Sequence, residues 1–359
     1  MSITANIACN QPKENMLAWD LLPAVPDSTG FAGSFAGVSN GSLLVAGGTN
    51  FPENTRPWSG GTKTWYDKIF VLQDANGAWK EAGKLPRPMG YGVSLTWKDG
   101  VLILGGADKD KHYAECYVLQ YANDSIVTEQ LPNLPAPNAN ASGVIINDVV
   151  YIAGGLASPT VTGTLDVFWS LDLSRPAAER AWKTLDTWPG ESRMLAVAGA
   201  FNDEFYLVSG VHLTVLMGDS TARRKYLQDA YAYAQGKGWR KISDLPYSTA
   251  AAPGPAFSSN EHGLLVFGGD DGSRADSNTI LKDKHPGFRT EVLAYNHDKW
   301  SAVGEVATRK MPDPENNPNG STWAPVTTTL VMWKGAIVIP GGEVRPGVRT
   351  NRVLRAVVK

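Results

Sequence analysis

One ten-residue stretch near the C-terminus holds residue types at a spacing that can do chemistry: Gly341-Gly342-Glu343-Val344-Arg345-Pro346-Gly347-Val348-Arg349-Thr350. An acid stands directly after an apolar run, and three guanidinium groups follow it, on Arg345, Arg349 and Arg352. A carboxylate partly shielded from water and close to guanidinium groups has a tuned proton affinity and can act as a general acid or base. The same residues also suit a structural ion pair between turns, Glu343 with Arg349, and residue types alone leave both readings open. Elsewhere, five His and two Cys are scattered singly, so no metal-ligand spacing occurs and no metal site is expected.

The elements that must position this stretch repeat along the chain. Six apolar runs end in a pair of small residues: Gly47-Gly48, Gly105-Gly106, Gly154-Gly155, Ser209-Gly210, Gly268-Gly269 and Gly341-Gly342. Successive pairs are 58, 49, 55, 59 and 73 residues apart. Strand-like runs at such a period mean a propeller or solenoid. After each pair comes a variable loop and, in most units, an alternating strand, then a Trp before a short Leu-Pro turn. The first unit has Ile69-Phe70-Val71-Leu72, Trp79 and Leu85-Pro86; the later tryptophans are Trp182, Trp239 and Trp300, and the second unit lacks one. The runs are rich in β-branched and aromatic residues and bounded by Gly, Pro, Asn and Asp, as strands are. The pairs, tryptophans and tyrosines are read as structural.

The last unit stops early, with one strand, Val353 to Val358, after its glycine pair. Its missing Trp-Asp-Leu-Leu-Pro segment stands at the other terminus, Trp19 to Pro23. The N-terminal strand is therefore expected to complete the last blade, closing the ring and removing a sheet edge. The pattern is the kelch repeat: an all-β, six-bladed β-propeller occupying residues 1–359 as one domain, with a polar leader over 1–15. A ring of blades has its pocket on the axis. Two long loops, Phe51 to Trp65 and Arg309 to Trp323, are either site-builders or tolerated insertions.

Bulk properties add exclusions. Apolar residues make up 43% and charged residues 19% of 359, and the net charge of −2 gives no reason to expect nucleic acid or an acidic membrane as partner. No apolar stretch approaches membrane-spanning length. Met1 to Glu14 has neither a basic n-region nor a continuous apolar h-region, so it does not read as a signal peptide; a trimmed exported chain and a cytoplasmic protein both fit. Oligomeric state is not legible.

Gly342 to Arg349 resembles the Gly-Glu-x-x-Pro-Gly-x-Arg motif of the N-acetylneuraminate epimerases, or sialic acid mutarotases. Gly30-Phe31-Ala32-Gly33 through Gly48, and Tyr91-Gly92-Val93-Ser94-Leu95-Thr96-Trp97 through Gly106, resemble two further family segments. In the family these follow the Glu motif; here they precede it, as in a circularly permuted ring, so the chain resembles the permuted branch. The resemblance implies a cofactor-free isomerase interconverting the α and β anomers of a sialic acid through the open-chain ketone, in the periplasm or secreted. It puts Glu343 at the catalytic glutamate and Arg349 at its paired arginine, and it places Arg193 similarly to a substrate-binding pocket residue; Tyr91 is taken as a further substrate-binding candidate through its ring. Where the family tends to have Arg two residues before Tyr-Gly-Val-Ser, this chain has Met89; Arg87, two positions earlier, is the candidate substitute. Arg345 is the alternative to Arg349 for facing the pocket. Trp58, Trp65, Tyr91 and Trp323 are candidates to stack on a sugar, with blade packing as the competing use.

Two other functions are weighed. A kelch ring that binds protein or glycan without catalysis predicts a pocket lacking a shielded acid and a large apolar surface patch. A different sialic-acid-processing enzyme that needs a redox cofactor is disfavoured, because no Gly-x-Gly-x-x-Gly opens a helix after a strand. A radical-copper oxidase on kelch blades would need a cysteine beside a tyrosine plus two histidines. Cys116 and Tyr117 are sequence neighbours, and alternation along a strand sends their side chains to opposite faces; that reading is rejected.

Overall fold

The computed structural model describes residues 16–215, 221–312 and 320–359; the polar leader with Cys9, and the middle of the Arg309 to Trp323 loop, lie outside them. Six four-stranded antiparallel sheets form six blades. Each blade's first strand lies innermost: Phe35–Ser39, Val93–Trp97, Ser142–Ile146, Val197–Phe201, Phe257–Ser259 and Val331–Trp333 for blades 1 to 6. Blade 6 is finished by the N-terminal strand Leu17–Leu22, paired from Leu17↔Val358 to Leu22↔Val353, as the split repeat predicts.

The apolar runs are continuous rather than alternating because both faces of a blade are covered. Six buried clusters fill the six gaps between neighbouring blades. Cys116 faces the blade 2/blade 3 cluster and Tyr117 the blade 1/blade 2 cluster, on opposite sides of one strand. Burial pushes the Cys116 thiol up to about 12, so it is an inert core group.

The tryptophans tie the blades together. Trp79, Trp182, Trp239, Trp300 and Trp19 each donate their indole N–H at 2.7–2.9 Å to a carbonyl at the outer edge of the preceding blade: Pro23, Pro132, Asp186, Ser243 and Glu305. The glycine pairs have a conformational cause. Their first residues have φ of 59–68° and their second 91–121°. The first is a left-handed value that a polar residue tolerates, and Ser209 sits there; the second suits only glycine.

Two rings of backbone hydrogen bonds follow from this turn. The residue after each pair bridges the residue entering the same blade: Ala32↔Thr49, Gly90↔Ala107, Ala139↔Leu156, Met194↔Val211, Ala250↔Asp270 and Val326↔Glu343. The next residue of each entry segment, Gly33, Tyr91, Asn140, Leu195, Ala251 and Thr327, donates its N–H to the same position of the preceding blade. The six bonds, of 2.7–2.9 Å, close a circle around the axis. All six have φ of 53–65°, so the circle fixes a strained turn at the five positions that are not glycine.

Candidate active site

The circle is the floor of a cleft. Its six residues line the narrow axial channel below, and above it opens a cavity of about 880 Å³. Ala107, Leu156, Val211, Asp270 and Glu343 line this cavity from five blades, so the position after the small-residue pair turns a side chain toward the axis. In blade 6 that side chain is Glu343.

The spacing of the blade 6 motif has a direct structural reason. Ala336–Arg345 and Val348–Val358 form a hairpin turned at Pro346-Gly347, and a bulge leaves Glu343 opposite Arg349 across it. Pro346 suits a turn, and Gly347 supplies φ of 76°. The Gly347 N–H donates to Glu343 Oε1 at 2.7 Å, and Arg349 Nη1 reaches the same oxygen at 3.4 Å. Among the described residues no donor reaches Oε2, and 21% of the Glu343 side chain stays exposed.

Arg349 is 4% exposed and lies with its guanidinium carbon 4.9 Å from the Phe51 ring centre. Among the described residues Glu343 is its sole hydrogen-bond acceptor, and Nε is buried without a partner. Its other N–H groups have no acceptor among the described residues. Arg345 points elsewhere: it donates to the Asp283 carbonyl at 3.0 Å and lies over Trp323. Of the two arginines, Arg349 lines the cleft and Arg345 does not.

The other expected residues divide. Tyr91 lines the cleft, edge-on to Trp65 at 5.4 Å, with Lys63 Nζ 4.3 Å from its ring centre. Its hydroxyl bonds Thr49 Oγ1 at 2.8 Å. Burial would raise the Tyr91 phenol, but Lys63 and Arg349 outweigh burial and the Glu343 charge, leaving it below the usual tyrosine range. Arg193 is not brought to the cleft: it is fully buried, doubly bonded to Asp229 at 2.9 Å, with Ser209 and Glu191 carbonyls taking further N–H groups. Arg87 is also apart, paired with Glu115 at 2.8 Å and stacked on Tyr113. Of the aromatics, Trp65 joins Tyr91 in the wall, while Trp58 and Trp323 pack around Val344 and Val348.

Sequence reasoning passed over Lys63, His112 and Asp270. Lys63 comes from the Phe51 to Trp65 loop, which also supplies Phe51, Pro57 and Trp65 to the cleft. His112 bonds the Leu156 carbonyl at 2.8 Å, and burial lowers its proton affinity against that bond and the Asp108 charge. Asp270 accepts from the Tyr226 hydroxyl at 2.9 Å and from Gly272 N–H at 3.0 Å; burial outweighs both and raises its carboxyl above the usual range. A repeat alignment gives the signal for Asp270, because it occupies the Glu343 position of blade 5. The opposite wall, with Leu156, Met194, Val211 and Leu213, is apolar.

The fold and cleft define a six-bladed kelch-type propeller with a guanidinium-backed carboxylate at its axis. Residues 3–128 match the family model described as N-acetylneuraminate epimerase, and over that part the chain is similar to the members of that family. Among curated relatives, the N-acetylneuraminate epimerase of Yersinia pestis (strain Pestoides F) is 40% identical over 106 residues, 26% of each chain. N-acetylneuraminate epimerase 1 of Escherichia coli O6:H1 is 39% identical over 101 residues, 26% of this chain and 27% of the relative. The chain thus spans about a quarter of the length of the curated relatives it matches. Among solved structures, that titled "Structure of YjhT" superposes with a TM-score of 0.65 over 95% of this chain and 98% of the other, at 16% identity, a likeness of fold. The family match contains Lys63, Trp65 and Tyr91; Glu343 and Arg349 lie beyond it.

Proposed function

We propose that the chain is an isomerase interconverting the α and β anomers of N-acetylneuraminate through the open-chain ketone. The carrying observation is the Glu343–Arg349 hairpin: a carboxylate with one oxygen held and the other facing the cleft, beside a buried guanidinium with donors to offer. Ring opening removes the proton of the anomeric hydroxyl while the ring oxygen gains one, and closing on the other face after the C1–C2 unit turns reverses both transfers. A positioned carboxylate performs such a transfer, and proton transfer alone asks for no redox or group-carrying cofactor. The substrate's carboxylate asks for a planar bidentate donor, which Arg349 is. Similarity of residues 3–128 to N-acetylneuraminate epimerases supports the reading, as does the order of the segments, which we read as a circular permutation of a closed ring. The same resemblance favours the periplasm or the exterior of the cell. Among the described residues no helix is long and apolar enough to cross a membrane.

The non-catalytic binding module has no use for a carboxylate held this way. The test is proton NMR of freshly released α-N-acetylneuraminate: the protein brings it to the β anomer faster than buffer. An unchanged time course removes the assignment.

A further inference from the structure

We infer that the Tyr91 hydroxyl is the second proton-transfer group of the cleft, working opposite Glu343. This rests on the isomerase reading above, which requires two proton transfers and assigns a residue to one.

Placement carries the argument. Of the six floor positions, held by Gly33, Tyr91, Asn140, Leu195, Ala251 and Thr327, only that of blade 2 carries a titratable side chain. An aromatic residue at φ of 61° is a conformational outlier that the closed circle of bonds enforces. Its ring lies against Gly33, where a Cβ would come within 2.6 Å of Tyr91 Cδ1, so blade 1 is bare at its floor position where the phenol passes. The hydroxyl then meets Thr49 Oγ1 at 2.8 Å. Thr49 is the blade 1 counterpart of Glu343 in the ring of bridges, and blades 1 and 6 are neighbours joined there by Gly342 N–H to the Phe31 carbonyl at 2.8 Å. The phenol oxygen is thereby held at the blade 1 counterpart of Glu343, in the blade next to it. Trp65 and Lys63 fix the ring from the cleft side.

The charged groups facing the phenol are Lys63 from the blade 1 loop and Glu343 and Arg349 from the blade 6 hairpin; its own strand, Val93–Trp97, has none. The two cations make it a stronger acid than a free tyrosine and stabilise the phenolate left after donation. In the opening step the Glu343 carboxylate takes the anomeric hydroxyl proton, and the released O–H pair forms the ketone. The bond from the anomeric carbon to the ring oxygen breaks, its electron pair goes to the ring oxygen, and that oxygen takes the Tyr91 proton. Closure returns one proton to Tyr91 and one from Glu343, so nothing is consumed.

The experiment compares wild type, Tyr91→Phe and Lys63→Met in the anomer-equilibration assay across pH, with a phenolate-absorbance titration of wild type against Tyr91→Phe. We expect Tyr91→Phe to lose on the order of 100-fold in kcat with KM little changed. The wild-type alkaline limb, where the phenol ionises and stops donating, disappears with it. Lys63→Met moves that limb to higher pH, and the difference titration shows a tyrosine ionising below the usual range. Wild-type kcat and pH profile in a folded Tyr91→Phe protein, with wild type active and Glu343→Gln inactive, overturn the inference and leave the isomerase reading standing. A wild type no faster than buffer overturns both. If Tyr91→Phe fails to fold, the Lys63→Met limb and the wild-type phenolate titration decide: an unmoved limb and an ordinary ionisation overturn it.

Discussion

Replacing Arg193 by methionine separates a structural arginine from a substrate-binding one. The guanidinium is 0% exposed, makes two 2.9 Å bonds to Asp229, and gives further N–H groups to the Ser209 carbonyl at 2.9 Å and the Glu191 carbonyl at 3.2 Å. Burial works against the Asp229 charge, but the bonds from Arg193 outweigh it and hold the carboxyl below the usual range. Methionine fills much of the volume and leaves that carboxylate with the Tyr231 hydroxyl, at 2.7 Å, as its remaining side-chain donor. Removing one partner of a buried ion pair costs about 3–5 kcal/mol. At the ~2 °C per kcal/mol suited to larger chains, Tm falls by roughly 6–10 °C. Thermal unfolding followed by circular dichroism reads the loss, and anomer equilibration below both transitions reads function, with KM expected to stay near wild type. An unchanged Tm together with a strongly raised KM would put the guanidinium on the substrate instead of in the frame.

Two further perturbations probe the cleft and its frame. Asp270 has its carboxyl raised by burial, so it favours folding below the ordinary aspartate range and costs stability once pH passes its raised value. Asp270→Asn should therefore melt higher than wild type at pH 7, with the difference vanishing near pH ~4; a gap independent of pH contradicts this. Gly269→Ala puts a Cβ 2.7 Å from the Thr249 backbone at φ of 108° and should lose roughly 1–3 kcal/mol by urea unfolding. Gly341→Ala, at the tolerant first position with φ of 68°, brings its Cβ no closer than 3.1 Å to the Thr350 carbonyl and 3.2 Å to the Phe31 carbonyl and should cost less. Equal costs would refute the distinction between the two positions.

What could be read ahead of the structure was what the chain repeats or keeps local. The pairs recur because each blade needs the same two positive-φ turns, and the tryptophans because each outer strand hooks the blade before it. The split last repeat announced its own closure. The Glu343–Arg349 relation was legible because Pro346-Gly347 folds six residues of sequence into one cross-strand contact. The arginines were not. Arg193 finds Asp229 36 residues away and Arg87 finds Glu115 28 residues away, so nothing local tells an arginine aimed at the axis from one buried against a partner. Lys63 and Tyr91 meet only because a blade 1 loop folds over a blade 2 turn. Asp270 was accessible through the repeat, one place after its glycine pair, but its isolation from any basic cluster hid it.

In the proposed reaction Glu343 moves the proton. Wild type and Glu343→Gln, matched in Tm, are followed by proton NMR from freshly released α-N-acetylneuraminate to equilibrium. Wild type is expected to equilibrate the anomers rapidly and the variant at a rate reduced on the order of 100-fold or more, toward that of buffer. A folded Glu343→Gln protein that equilibrates them as fast as wild type would contradict that role.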